Sequence, residues 1–176
     1  DVLDISKIEA GKLELHPKEV QLSALLEGTV ENCRIKAEQK AIAFAYDSTP
    51  QLPTCVLVDD KRLRQVLLNL LGNAIKFTDQ GQVSLIIAVL NPDRVAAHPE
   101  SNSGDRLVQL RFIIQDTGVG MSPEQREKIF LPFEQVGDVE RRSEGTGLGL
   151  AITQKLLKAM DSTLTVTSEP GQGSTF

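Results

Sequence analysis

Two stretches of helical period, Leu22 to Lys40 and Asp59 to Lys76, each carry one apolar stripe that must be buried, and short strand-like runs stand between and after them. Leu22, Leu25, Leu26, Val30, Cys33 and Ala37 form the first stripe; Leu63, Val66, Leu67, Leu70, Leu71 and Ala74 form the second. Strand-like runs lie at 42–46, 55–58, 82–90, 107–115, 164–168 and 174–176, without a strict strand-helix-strand repeat. The pattern predicts an α/β (α+β) two-layer sandwich, a mixed β-sheet with helices packed on one face. Asp59 reads as the N-cap of the second helix, and Ser122-Pro123 opens a short helix with a capping serine and a proline at its first position. Thr146 to Met160 reads as the last helix, Cys55 to Val58 as a buried strand, and Leu13, Leu15 and Val20 as an edge strand interrupted by Pro17. Asn91 to Asp105, rich in Pro, Ser, Asn and Gly, reads as a hairpin loop.

Size and composition narrow the function classes. A chain of 176 residues with 40% hydrophobic and 24% charged side chains is about one globular domain. Its net charge of −5 disfavours nucleic acid as a partner. Cys33 and Cys55 lack the spacing of a disulfide framework or a zinc site, which fits a reducing, cytoplasmic setting. No apolar run approaches the roughly 20 residues of a membrane span, so direct membrane contact is not expected. The chain opens at Asp1 with Val2, Ile5 and Ile8 at three-residue steps, as if a helix were already running, and closes inside a strand-like run. Both ends read as cuts within a longer protein.

Three segments carry polar groups that a core does not need. In Asn69-Leu-Leu-Gly-Asn73-Ala-Ile-Lys76, helical geometry stacks two amides and an ammonium on one side over roughly 10 Å. Such a face suits an anion or a magnesium ion, which takes an amide oxygen alongside waters and phosphates; it also suits plain solvent. Asp116-Thr-Gly118-Val-Gly120 puts a carboxylate at a strand end before two glycines. A carboxylate accepts and does not donate, so it would favour adenine, with its exocyclic amine, over guanine; a simple Asp-Gly turn is the alternative. Gly145-Thr146-Gly147-Leu148-Gly149 opens the last helix, where bared first-turn amides and the helix dipole suit a phosphate, although a hinge would use the same glycines. It matches neither a P-loop nor a dinucleotide fingerprint.

In this order the segments resemble the ATP-binding catalytic domain of sensor histidine kinases, in the superfamily that also holds gyrase, MutL and heat-shock chaperone ATPases. Arg64 to Thr78 resembles the N box, Asp116 to Gly120 the first glycine box, Phe130-Leu-Pro-Phe133 the F box and Gly145 to Gly149 the second glycine box. Gly171-Gln-Gly173-Ser-Thr175-Phe176 resembles the closing glycine motif, and Val2 to Leu15 the end of the dimerisation helix. The resemblance implies a Bergerat-type ATP-binding fold over 12–176, with 1–11 ending a dimerisation helix. It implies ATP and Mg²⁺ as ligands, Asn73 on the metal, Asp116 on adenine, and Lys76 with the Gly145, Thr146, Gly147, Leu148 and Gly149 segment on the phosphates. Gly118, Gly120 and Thr175 would line the nucleotide. Asn69, Lys76, Arg141 and Arg142 would serve phosphoryl transfer, the arginines from a nucleotide lid at 134–144, where Ser143 and Glu144 stand in place of the aromatic and glycine common in such lids.

The implied activity is transfer of the γ-phosphate to a histidine on the protein's own dimerisation and phosphoacceptor domain, within a homodimer, with a response regulator receiver domain as the next partner. The setting would be cytoplasmic, either as a free protein or as the cytoplasmic part of a membrane-anchored sensor. His16, before Pro17, and His98, before Pro99, do not fit the acceptor pattern of a helical histidine followed by an acid, so the chain by itself is expected not to phosphorylate itself. An ATP-hydrolysing clamp of the gyrase and chaperone branch needs a glutamate four residues before the metal-binding asparagine. Asn69 stands there and is no base. A protein-serine kinase of the anti-sigma type would lack the dimerisation helix that the first eleven residues resemble.

Overall fold

The computed structural model describes residues 13–90, 96–97, 106–135 and 146–176. The dimerisation-helix reading of 1–11, the central part of the insert, His98 and most of the 134–144 segment lie outside them.

Strand β1 (Lys18–Gln21) runs straight into helix α1 (Leu22–Gln39), then come β2 (Ala43–Ser48), β3 (Cys55–Val58) and helix α2 (Asp60–Phe77). Strands β4 (Gln82–Val89) and β7 (Leu110–Asp116) flank the short pair β5 (Ala96–Ala97) and β6 (Arg106–Leu107). Helix α3 (Pro123–Lys128), helix α4 (Gly149–Ala159) and strands β8 (Thr167–Glu169) and β9 (Gly173–Thr175) complete the order. Five strands form one sheet in the order β2-β4-β7-β9-β8, with β2 parallel to β4 and the other neighbours antiparallel. The expected mixed sheet under a helical layer is therefore present. Alternate residues Val83, Leu85 and Ile87 of β4 are wholly buried and meet the apolar stripes of α1 and α2 in one continuous core that also takes in Leu148, Ile152 and Leu156.

Three expectations need correcting. Cys55–Val58 is a strand but not a buried one: among the described residues it pairs with β1 alone, its Cys55 is exposed and Leu57 is 72% exposed. An apolar run of four residues does not distinguish a core strand from a two-stranded ribbon on the surface. The edge strand begins after Pro17, at Lys18, rather than running through it. The last helix starts at Gly149, not Thr146, because Gly147 adopts φ +70 and its carbonyl accepts from Phe133 N–H at 3.0 Å. A left-handed residue cannot sit inside a right-handed helix.

Candidate functional site

Helix α2 is the spine of the site. Its N-terminus is closed by Asp59, whose carboxylate accepts from Arg62 N–H at 3.1 Å and from His16 N–H at 2.9 Å. Seven apolar residues anchor one face, from Leu63 to Ile75, which fixes the rotation of the helix and leaves Asn69, Asn73 and Lys76 half-buried on another side. The Lys76 ammonium lies 5.2 Å from the centre of the Phe77 ring.

The second glycine segment meets the upper part of this helix. Asn69 donates through Nδ2 to the Thr153 hydroxyl at 2.6 Å, and Thr153 is buried. Its amide also lies so close to Gly149 that any Cβ there would overlap Asn69 Oδ1. Helix α4 is thus seated on Asn69 by its first residue and by a hydroxyl one turn further on. The cap of α4, Leu148, is buried and provides no side-chain hydrogen bond to the first turn, whose amides are donors that a helix does not use internally. Gly147 packs against the Phe133 backbone, which ties the Phe130–Phe133 stretch to the same place, with Phe133 itself 73% exposed. Thr146 is exposed. Gly145, Arg141 and Arg142 lie outside the described residues. Beside the α2–α4 contact opens a cavity of about 470 Å³ whose lining includes Lys61, Arg64, Asn69, Gly149 and Thr153.

The first glycine segment meets the other end of α2. Gly118 approaches the Phe77 carbonyl so closely that a Cβ would overlap it, and Val119 N–H donates to that carbonyl at 3.3 Å. Asp116 ends β7, is buried, and accepts from Gly118 N–H at 2.9 Å. Burial pushes its carboxyl above the ordinary aspartate range, while hydrogen bonds from the Gly118 and Ser174 amides pull the other way. Gly120 lies against the Glu169 carbonyl, and Thr175 pairs with Gln115 beside it on the sheet. Ser168 holds this edge together: its hydroxyl accepts from Met121 N–H at 2.8 Å and donates to the Gly173 carbonyl at 2.9 Å.

Gly149 therefore packs on residue 69 of α2 and Gly118 on residue 77, eight positions or roughly 12 Å apart along the helix, with Asn73 and Lys76 between. The separate polar segments converge on one helix. Thr153 and Ser168 had not been singled out from the sequence. Thr153 sits four residues after Gly149, a spacing that puts both on one helical face, whereas Ser168 depends on a strand pairing that no local pattern announces.

Residues 58–176 match the family model of histidine kinase-, DNA gyrase B-, and HSP90-like ATPases. The chain is 42% identical over 177 residues to the virulence sensor protein BvgS of Bordetella bronchiseptica, covering 99% of this chain and 13% of that protein. It is 36% identical over 178 residues to the aerobic respiration control sensor protein ArcB of Escherichia coli, covering all of this chain and 21% of that protein. Among solved structures, full-length ShkA in complex with AMPPNP superposes with a TM-score of 0.77 at 36% identity, over 99% of this chain and 33% of that one. Among the described residues, no helix is long and apolar enough to cross a membrane. A match over two thirds of the chain, on top of a fold shared with ShkA, places this protein in the histidine kinase-, DNA gyrase B- and HSP90-like ATPase family.

Proposed function

We propose that this chain is the ATP-binding catalytic domain of a two-component sensor histidine kinase. The observation that carries the reading is the seating of both glycine segments on one side of α2, at residues 69 and 77, around Asn73 and Lys76. Asp116 accepts the adenine amine, the Gly118 to Gly120 backbone lines the base, and Thr175 borders it. Lys76 and the amides of 145–149 hold phosphate oxygens, with Arg141 and Arg142 adding charge from the 134–144 lid. Asn69 acts through the helix start that it seats.

The donor set fits magnesium held mostly by its substrate: Asn73 offers one neutral amide oxygen, and such an ion keeps waters and phosphate oxygens for the rest of its shell. When bound, Mg²⁺ neutralises phosphate charge. The protein's own part is to hold the triphosphate in line and exclude competing geometries, which is where most of the rate of phosphoryl transfer comes from. A histidine ring nitrogen attacks the γ-phosphorus, the bond to the β,γ-bridging oxygen breaks, and ADP leaves. The acceptor belongs to a dimerisation and phosphoacceptor domain that residues 1–11 end, in a homodimer, and a response regulator receiver domain takes the phosphoryl group onward. The cytoplasm, where ATP and receiver domains are found, is the proposed location.

A hydrolytic clamp is disfavoured by the side chain at 69, an amide engaged with Thr153 rather than a carboxylate facing water. The test is to incubate the chain with γ-labelled ATP, alone and with a longer form that carries the helical stem. Label that appears on protein only with the stem, survives alkali and is lost in acid is the expected result. Phosphate release by the chain alone, at a rate the stem does not change, would overturn the kinase reading.

A further inference from the structure

The C-terminus of α2 is closed from outside by one side chain. Lys40, the residue that caps α1, extends its ammonium to the carbonyls of Ile75, Lys76 and Thr78, each at 2.9 Å. An ammonium has three donors, and these three acceptors use them all. Asp79 stands 3.9 Å away and adds attraction. The remaining acceptors of this turn are also accounted for: Ala74 O receives the Thr78 hydroxyl at 2.8 Å, and Phe77 O receives Val119 N–H at 3.3 Å. Every carbonyl from 74 to 78 has an identified donor. Ala41, at φ 56, turns the chain sharply after Lys40 into β2, which holds the lysine backbone at this spot.

The consequence reaches the site. A carbonyl bonded to a fixed cation fixes the tilt of its peptide plane. Lys40 fixes the planes on both sides of the Phe77 carbonyl, which alone points to the first glycine segment. From there the contacts run through Gly118 and Val119 to Asp116, whose carboxylate is bound by Gly118 N–H. We infer that Lys40 is a positioning residue for nucleotide recognition: it sets the distance between the Asn73–Lys76 face and Asp116, and so matches the phosphate end of the site to the base end. This rests on the nucleotide reading proposed above, yet Lys40 caps another helix and meets the proposed ligand residue Lys76 through its main-chain carbonyl, leaving the Lys76 ammonium untouched.

The test compares the unaltered chain with Lys40→Met, which removes the donors and keeps the stem, and Lys40→Arg, which keeps charge and donors. Two quantities are read: amide hydrogen exchange at Val119 without nucleotide, and affinity for ATP and GTP. Lys40→Met is expected to speed exchange at Val119 more than at core strand amides and to weaken ATP binding about tenfold, narrowing the ATP to GTP ratio, as loss of a cation at a helix C-terminus allows. Lys40→Arg should recover most of both. A Lys40→Met protein that melts earlier but keeps the ATP affinity and ATP to GTP ratio of the unaltered chain would overturn the inference. So would unchanged exchange at Val119. If Lys40→Met does not fold, the same two readings on Lys40→Arg and Lys40→Gln decide, an unshifted ATP to GTP ratio in Lys40→Gln counting against. An unaltered chain that ignores ATP, while Val119 still exchanges faster in Lys40→Met, would instead sink the proposed function and leave the mechanical link in place.

Discussion

Asp116, proposed above to read adenine, occupies a place where burial of its carboxyl works against stability. Its carboxyl is buried, which raises its pKa, and the Gly118 and Ser174 amides recover only part of that cost. A carboxyl that is harder to ionise in the folded chain than in the unfolded one binds more protons when folded, so its contribution falls as pH rises between the two pKa values. Asp116→Asn removes this penalty. The variant is expected to gain stability relative to the unaltered chain on going from about pH 3 to about pH 8, where free aspartates have ionised. At the same time it should lose about tenfold or more in ATP affinity, since a charged acceptor becomes an amide that also donates. Urea titrations across that range with parallel nucleotide titrations check both, and a stability difference that does not change with pH would contradict the burial argument. A second residue test separates metal from nucleotide: Asn73→Ala should weaken Mg-ATP binding far more than metal-free ATP binding, and equal losses would count against an amide oxygen on the ion. Asp116 was legible in the sequence because a carboxylate before two glycines is a local pattern. Lys40 was not, since nothing near residue 40 announces three acceptors more than thirty positions away.

Two elements carry the site, and both are held by contacts at their ends. Helix α2 begins at Asp59, 6% exposed, with both carboxylate oxygens in use. Burial alone would raise this carboxyl, but the His16, Arg62 and Lys61 amides and the nearby Arg62 guanidinium outweigh it and hold it below the usual range. The sign is opposite to that of Asp116: the stabilisation is present above the unfolded pKa and is lost as pH falls through the folded one. Asp59→Ala is expected to cost about 1 kcal/mol near neutrality and progressively less in acid, measured by urea unfolding. Helix α4 begins at Gly149 against Asn69. Gly149→Ala should cost about 1 to 3 kcal/mol through overpacking, and Asn69→Ala should relieve part of it, so the double variant loses less than the sum. Strict additivity would mean that the two residues do not meet. Elements with a long hydrophobic period, such as α1 and α2, were readable because burial of a stripe leaves one solution. The start of α4 and the exposure of β3 were not, because a left-handed glycine and a two-stranded ribbon are decided by partners distant in sequence, Phe133 in one case and β1 in the other.

At the scale of the whole molecule, the polar groups at 69–76, 116–120 and 147–149 come together only when the sheet is formed and all its helical cover is in place. The unfolded chain holds no such arrangement, so a ligand that needs it stabilises the folded state by mass action, by about 2.7 kcal/mol at a hundred times its dissociation constant. For a domain of this size that amounts to a rise in melting temperature of about 5 to 10 °C. Mg-ATP should give the full rise, ATP with a chelator a smaller one, and Mg-GTP close to none, because each tests a different part of the convergent site. Leu71, wholly buried between the layers, provides the control. Leu71→Ala should lower stability by about 2 to 5 kcal/mol by opening a cavity, without touching a polar group of the site. Its Mg-ATP increment, read by the same thermal scans, should remain near that of the unaltered chain. Equal shifts with ATP and GTP would remove Asp116 from base recognition, and no shift with either would mean that the groups gathered along α2 serve something other than a triphosphate.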